Sequence, residues 1–421
     1  IRVWDWEAAF AKLKPEIGLI PYVNFEDNDI LRFDDKLYWT ASMAPILPTS
    51  VSLENQWYNE HLVYTHVPEG FLTLEATSGQ IVDSSELFEQ RQIYYGEGGL
   101  LDETWSGYPT DRGSTTAELN NASYDGLGGL EISPPISWLF EPNFMISYPG
   151  TSIHILRYKD VNERMETLYP YFLYNLFGKE IDSLPVTDGE NTYWLVPLIV
   201  GFDSSSVPWS AGNPYLRLVG YGLVDTYNGN VQLIKHGDDF FSNMFLDQYQ
   251  DKVIEMPGWL EEQIRYPQEL FNWRTEMYNI YHVTDVDIFI QANEFYEIPR
   301  GLDTYYIEAK PPGFEEPEFV GLLSLELRGS QGRNLAGYMV VENDTPNLGR
   351  MQFYEVPIES ETKLLGPTSV REALDRDPDF AQLKTLLRNP RIGDNILYQV
   401  GEHDTYFIPV YTAGAGGVVA Q

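Results

Sequence analysis

RYPQELFNWRTEMYNIYHVTD, residues 265–285, is the stretch around which the rest of the chain must be organised. Pro267 suits a first helical turn, because its missing N–H has no intrahelical partner there and its φ is already near the helical value. The same proline pushes Tyr266 out of the α region and so sets the boundary. Leu270, Trp273, Met277 and Ile280 or Tyr281 recur at spacings of three and four, with Phe271 and Tyr278 as a second apolar row. A helix apolar around so much of its girth is buried. Thr284 and Asp285 mark its exit. Arg265, Tyr266 and His282, at the two ends, are left free for a role other than architecture and stand as ligand-binding candidates.

Working outward, the chain has 421 residues, more than the about 250–300 that one hydrophobic core organises, so two or three lobes are expected. Apolar residues make up 43%, and Trp 10, Tyr 29 and Phe 21 supply dense cores, which excludes disorder over most of the length. Asp and Glu number 63 against 27 Lys and Arg, a net charge of -36. Such a surface repels phosphate backbones and anionic headgroups, so no nucleic-acid partner is expected. It suits divalent cations or basic partners. The absence of cysteine removes disulfides, thiolate zinc sites and a cysteine nucleophile. No apolar run reaches the about 18 residues that span a bilayer. The chain opens at Ile1 on a folded-looking IRVWDWEAAF, the pattern of a piece of a longer protein.

Three spans differ in texture. Residues 1–150 are turn-rich and β-leaning, with an amphipathic helix over Asp5–Lys14 stopped by Pro15, strand-like runs at Tyr58–His66 and Gln92–Tyr95, and a long exposed loop from Gly107 to Gly129. Residues 151–310 mix strands and helices. Glu163–Phe177 reads as helical with an interruption at Pro170, Tyr193–Val200 as a strand, and Asn228-Gly229 as a two-residue hairpin turn between Val219–Asp225 and Val231–His236. Residues 311–421 form a meander with strands at Phe319–Leu325, Leu335–Glu342, Met351–Pro357, Asn395–Val400 and Thr405–Tyr411. Two helices interrupt it, one starting at the capping box Ser369-Val370-Arg371-Glu372, the next capped by Asp379. The class is α+β, rich in mostly antiparallel sheet with interspersed short helices.

Candidate chemistry is sparse. His61 and His66 with Glu97 form a mixed histidine–carboxylate set of the kind that binds a metal. Residues five apart face opposite sides of a strand and diverge on a helix, so ordinary structural histidines explain the pair better. His282, at a helix end, suits the C-terminal dipole. Acidic runs containing Asp27 and Asp29, and Asp285 and Asp287, invite a structural calcium, although neither is an EF-hand loop. No cofactor beyond that is indicated. Asn121 and Asn343 begin glycosylation sequons. There is no nucleophile elbow, zincin motif, phosphate-binding loop or dinucleotide fingerprint.

The chain resembles the extracytoplasmic part of uncharacterised protein family 0182, large multi-pass membrane proteins. The resemblance is carried by Ile1-Arg2-Val3-Trp4-Asp5, His61-Leu62-Val63-Tyr64-Thr65-His66, Ile93-Tyr94-Tyr95-Gly96-Glu97, Val224-Asp225-Thr226-Tyr227-Asn228-Gly229, Arg265-Tyr266-Pro267 and Tyr281-His282-Val283-Thr284-Asp285. It departs at Val67-Pro68-Glu69-Gly70, where the family usually has Gly-Tyr-Gly, and at Gln263, where a histidine is common. The resemblance implies a transmembrane bundle upstream of Ile1, with this domain held at the extracytoplasmic face of the membrane. It implies no reaction. The leading expectation is therefore a non-enzymatic cell-envelope domain for scaffolding, binding or assembly, with the upstream bundle, further copies of itself or other envelope components as partners. The alternative is a carboxylate-dependent hydrolase of envelope glycan or peptide. The two diverge on one point: a hydrolase needs a deep cleft in which acids with shifted pKa values converge near exposed aromatic rings.

Overall fold

The computed structural model of the protein describes residues 2–102, 105–110, 124–203, 214–292, 294–329, 333–356, 364–388, 390–400, 403–414 and 417–420. Asp5 caps helix α1 (Trp6–Ile17) by accepting from the Ala8 N–H. Pro15 does not stop this helix; it falls in the last turn, and the Gly18 N–H closes the end on the Lys14 carbonyl. Strands β1 (Val23–Phe33), β2 (Lys36–Pro45), β3 (Phe71–Glu75) and β4 (Ile81–Val82) then make an antiparallel sheet in sequential order. The run expected as a strand at Tyr58–His66 is instead mostly helix α2 (Gln56–Leu62) between β2 and β3. Gln92–Tyr95 forms no strand, pairing only through a bridge from Ile93 to Val67. The loop expected from Gly107 opens inside β5 (Trp105–Pro109), which pairs with β7 (Ile153–Arg157), itself flanked by β6 (Leu130–Ile132). Two short helices, α3 (Ile136–Phe140) and α4 (Phe144–Ser147), precede β7.

Helix α5 (Val161–Leu168) starts on Asp160, whose carboxylate accepts from Glu163 N–H, and ends before Pro170 rather than running on to Phe177. A small hairpin of β8 (Asn175–Leu176) and β9 (Lys179–Glu180) follows. The central sheet contains β10 (Leu184–Thr187), β11 (Thr192–Phe202), β12 (Tyr215–Asp225), β13 (Val231–Lys235) and β14 (Val253–Ile254), antiparallel except for the last pair. The β12–β13 turn is longer than a two-residue hairpin, since the last pair is Val224 with Val231. Asp225 Oδ1 accepts from the N–H groups of Tyr227 and Asn228, and Gly229 takes a φ of 66°, so the carboxylate rather than Asn-Gly alone shapes it. Helix α6 (Phe240–Leu246) lies against β12.

Helix α7 (Gln268–Tyr281) is the buried helix read from residues 265–285, with Leu270 and Phe271 fully covered. Its start is one residue past Pro267, which occupies the cap with extended ψ. After α8 (Val286–Ile290), the last large sheet comprises β15 (Tyr296–Glu297), β16 (Tyr305–Ala309), β17 (Glu318–Leu327), β18 (Leu335–Glu342) and β19 (Met351–Glu355), with β15 and β16 both pairing with β17. Helix α9 (Pro367–Arg376) begins two residues before Ser369, with Pro367 at its first position; Ser369 Oγ donates to the Arg333 carbonyl instead of capping. Helix α10 (Pro378–Leu386) is capped by Asp377, not Asp379, because Pro378 takes its first position. Short strands β20 (Arg391–Ile392), β21 (Ile396–Val400), β22 (His403–Phe407), β23 (Val410–Gly414) and β24 (Gly417–Ala420) finish the chain, so the expected Thr405–Tyr411 strand is divided between β22 and β23. The fold is α+β and β-rich, with mostly antiparallel sheets. Its main core draws on residues from Trp4 to Tyr411. Among the described residues no helix is long and apolar enough to cross a membrane.

Candidate functional site: an acidic cleft

The acidic run Glu26-Asp27-Asn28-Asp29 lies on β1 where its pairing with β2 slips: Phe25 opposes Met43, but Asn28 opposes Ala41. This bulge places two β1 residues against one on β2 and breaks the strict in–out alternation of the strand. As a result all four residues of the run line one cleft of about 1240 Å³. Gly98, with φ 70°, approaches so closely that a Cβ there would lie 2.2 Å from the Glu26 carboxyl carbon. The cleft also takes Glu97, Asp160 and Asn162 at the start of α5, Glu180 at the end of β9 and Asp182 just after it, and Arg265 and Glu269 at the start of α7. Exposed Trp6 lines it as well, at 47% of its accessible area.

Asp27, Asp29 and Asp182 each offer a carboxylate oxygen within 4.8 Å of the others. Arg265, 6% exposed, reaches into this group. Its Nη2 donates to Asp182 Oδ2 at 2.5 Å and to Asp29 Oδ1 at 3.3 Å. The guanidinium carbon sits 4.6 Å from the centre of the Tyr306 ring. The backbone that presents it is held on several sides. Tyr221 OH donates to the Arg265 carbonyl, Tyr306 OH to the Tyr266 carbonyl, and the Tyr266 N–H to Asn343 Oδ1. So the RYP signature is a clamp that aims one cation at a carboxylate cluster.

Arg265 alone does not balance the acids around it, and burial raises the proton affinity of several of them. Burial, reinforced by the Asp182 charge, pushes Asp27 up to about 7. Burial also lifts Asp29 and Glu97 well above the usual carboxylate range, and Asp160 to about 6. Asp182 is raised by burial but held down by Arg265 and by hydrogen bonds from Asp27 and Asp29, so it is the member of the trio that the surroundings favour as the ionised one. Arg265 stays charged: burial works against it, but Asp182 and its other anionic neighbours raise it. Glu97, half-buried on the wall, accepts from Ser183 Oγ.

Of the residues singled out from sequence, the fold brings Asp27, Asp29, Glu97 and Arg265 together, with Tyr266 buried directly beneath. The histidines are elsewhere. His61 donates Nδ1–H to the Trp105 carbonyl and stacks on that ring; His66 is fully buried on Tyr94 and lowered to about 4 by burial and then by Lys159. Neither lines the cleft, so the mixed set with Glu97 is not assembled. His282 stacks on Tyr296 with its ring nitrogens against the Tyr278 and Glu294 carbonyls. Asp285 caps α8, and both it and Asp287 are exposed away from the cleft. Asn343 is fully buried, a structural anchor rather than an exposed glycosylation acceptor; Asn121 lies outside the described residues. Gln263, in place of the family's histidine, clamps Thr187 through both its N–H and its carbonyl. Sequence reasoning missed Asp182, Glu269, Asp160 and Asn162. Glu269 carried a signal, an acid in the first turn of α7; Asp182 carried none.

The class is thus a β-rich α+β domain with an acidic cleft into which a clamped arginine, Arg265, projects. The chain belongs to uncharacterised protein family UPF0182, whose model matches residues 1–387. Among its relatives, a UPF0182 protein of Methanospirillum hungatei is 26% identical, over 98% of this chain and 50% of its own length. One from Sulfurovum sp. is 25% identical, over 100% and 50%, and one from Geotalea uraniireducens 26% identical, over 99% and 50%. The chain therefore spans about half the length of the curated relatives it matches. No solved structure matches it.

Proposed function

We propose that the chain is the extracytoplasmic domain of a membrane-anchored cell-envelope protein and that its cleft is a carboxylate-dependent hydrolytic site for envelope glycan or peptide. One observation carries this reading over simple scaffolding: Glu97 and Asp182, both raised by burial, line one cleft together with an exposed tryptophan. Glu97, whose carboxyl burial pushes well above the usual carboxylate range, serves in this reading as the general acid for the leaving group. Asp182, favoured as the ionised member, takes the proton of the attacking water. Trp6 offers a face on which a sugar ring or apolar side chain can stack. The envelope location is supported by the family resemblance and by relatives about twice as long as the matched region, with room for membrane spans.

The test is turnover of purified envelope glycan and peptide fragments followed by mass spectrometry. The expected result is cleavage of one class, slowed about 10²–10⁴-fold in Glu97→Gln. A folded wild-type chain that cleaves neither, or a Glu97→Gln variant of undiminished rate, removes this reading. A role in assembly is the second reading, favoured by Ile136, Leu139, Met145 and Ile146, all exposed on α3 and α4. It predicts concentration-dependent self-association, lost in Leu139→Ser and measured by sedimentation.

A further inference from the structure

We infer that Asp27, Asp29 and Asp182 form a binding site for one hard divalent cation, with calcium as the ion they fit. Three carboxylate oxygens lie within 4.8 Å of one another, and the neighbouring Arg265 pairs with two of the three, Asp29 and Asp182. Calcium takes about six to eight oxygens at about 2.3–2.6 Å in flexible geometry, so carboxylates gathered this closely can share one ion. Magnesium demands about 2.0–2.1 Å in near-ideal octahedral geometry and gives up its waters reluctantly.

The acids alone do not make the case. Asp29 is 4% exposed, and its Oδ2 finds no hydrogen-bond partner outside the acid trio itself. A buried oxygen left without a partner is costly and rare in native structures, and it calls for an occupant. Two buried amides that also line the cleft repeat the pattern: Asn28 Oδ1 and Asn162 Oδ1 are without partners. Neutral amide oxygens beside carboxylates are the mixed donor set that calcium accepts. The trio, Glu97 and Glu269 all line the cleft, and Arg265 forms ion pairs with two of these five acids, Asp29 and Asp182. The bulge in β1 and the clamp on Arg265 hold the donors in place before any ion arrives.

Binding of the ion stands on its own. What the ion does rests on the hydrolytic reading: coordinated beside Asp182, it would fix and polarise the water that attacks, while Glu97 remains free as the acid.

Calorimetric titration of the chelator-treated chain with calcium chloride, and separately with magnesium chloride, tests the site. The expected result is one saturable calcium equivalent, bound more tightly than magnesium, with affinity weakened about 10–100-fold or more in Asp182→Asn and in Asp29→Asn. Asp287→Asn, an exposed acid of α8, leaves binding unchanged. If Asp29→Asn does not fold, as judged by circular dichroism, the half-exposed Asp27→Asn replaces it. The inference is overturned if folded wild type binds no calcium saturably, if magnesium binds as tightly, or if binding survives both Asp27→Asn and Asp182→Asn. Calcium binding without turnover keeps this inference and removes the hydrolytic one; turnover by a chain that binds no calcium does the reverse.

Discussion

Arg265 is the residue on which the cleft turns. It is nearly covered, and its guanidinium faces Asp29, Asp182 and the Tyr306 ring at once. Deleting one partner of a buried ionic group is strongly destabilising because the remaining charges stay buried and unmatched. Arg265→Met, similar in reach but neutral, is therefore expected to lower unfolding stability by about 3–5 kcal/mol near neutral pH. Chemical denaturation of the chelated protein measures this. Because burial raises Asp27 to about 7 and shifts Asp29 in the same direction, the loss should shrink as pH falls towards about 5 and Asp27 becomes neutral. A loss under about 1 kcal/mol at neutral pH would mean that the guanidinium is no more than a surface partner.

At the scale of elements, α7 and β1 were legible to different degrees. The period of Leu270, Trp273 and Met277 placed α7 correctly to within a few residues at each end, because burial of one face follows from local spacing. Helix caps near proline were misplaced, since Pro367 and Pro378 take first positions that Ser369 and Asp379 had been expected to precede. The acid run of β1 was visible as Asp27 and Asp29, but not its bulge, which depends on pairing with β2. Asp182 was invisible because its meaning comes only from meeting β1 and α7 in space. The weight of α7 can be checked directly. Leu270→Ala removes a fully buried side chain in the main core and should cost about 2–5 kcal/mol, whereas half-buried Met277→Ala should cost clearly less. Equal losses in thermal or urea unfolding would contradict the packing of this helix.

For the molecule as a whole, the net charge of -36 and the proton-holding cleft act on stability together. The folded-state values of Asp27, about 7, and Asp160, about 6, exceed their ordinary value of 3.8, and Asp29 and Glu97 shift the same way. Across that interval the folded chain binds more protons than the unfolded one, so these acids add stability at low pH and lose it as pH rises through about 7. His66 acts oppositely: lowered from 6.5 to about 4, it is held neutral when folded, and it costs stability as pH falls below 6.5. Its effect is absent above 6.5, where the acids act alone. The chelated protein should therefore melt at lower temperature at about pH 8 than at about pH 6.5. Asp27→Asn should flatten that slope by removing one of the groups that produce it. Added neutral salt, by screening the repulsion among surface acids, should raise both melting points without removing the difference between them. Melting curves in chelator across this range decide the matter: a flat profile, or a slope unchanged in Asp27→Asn, would mean that the cleft acids ionise freely and that the fold does not hold their protons.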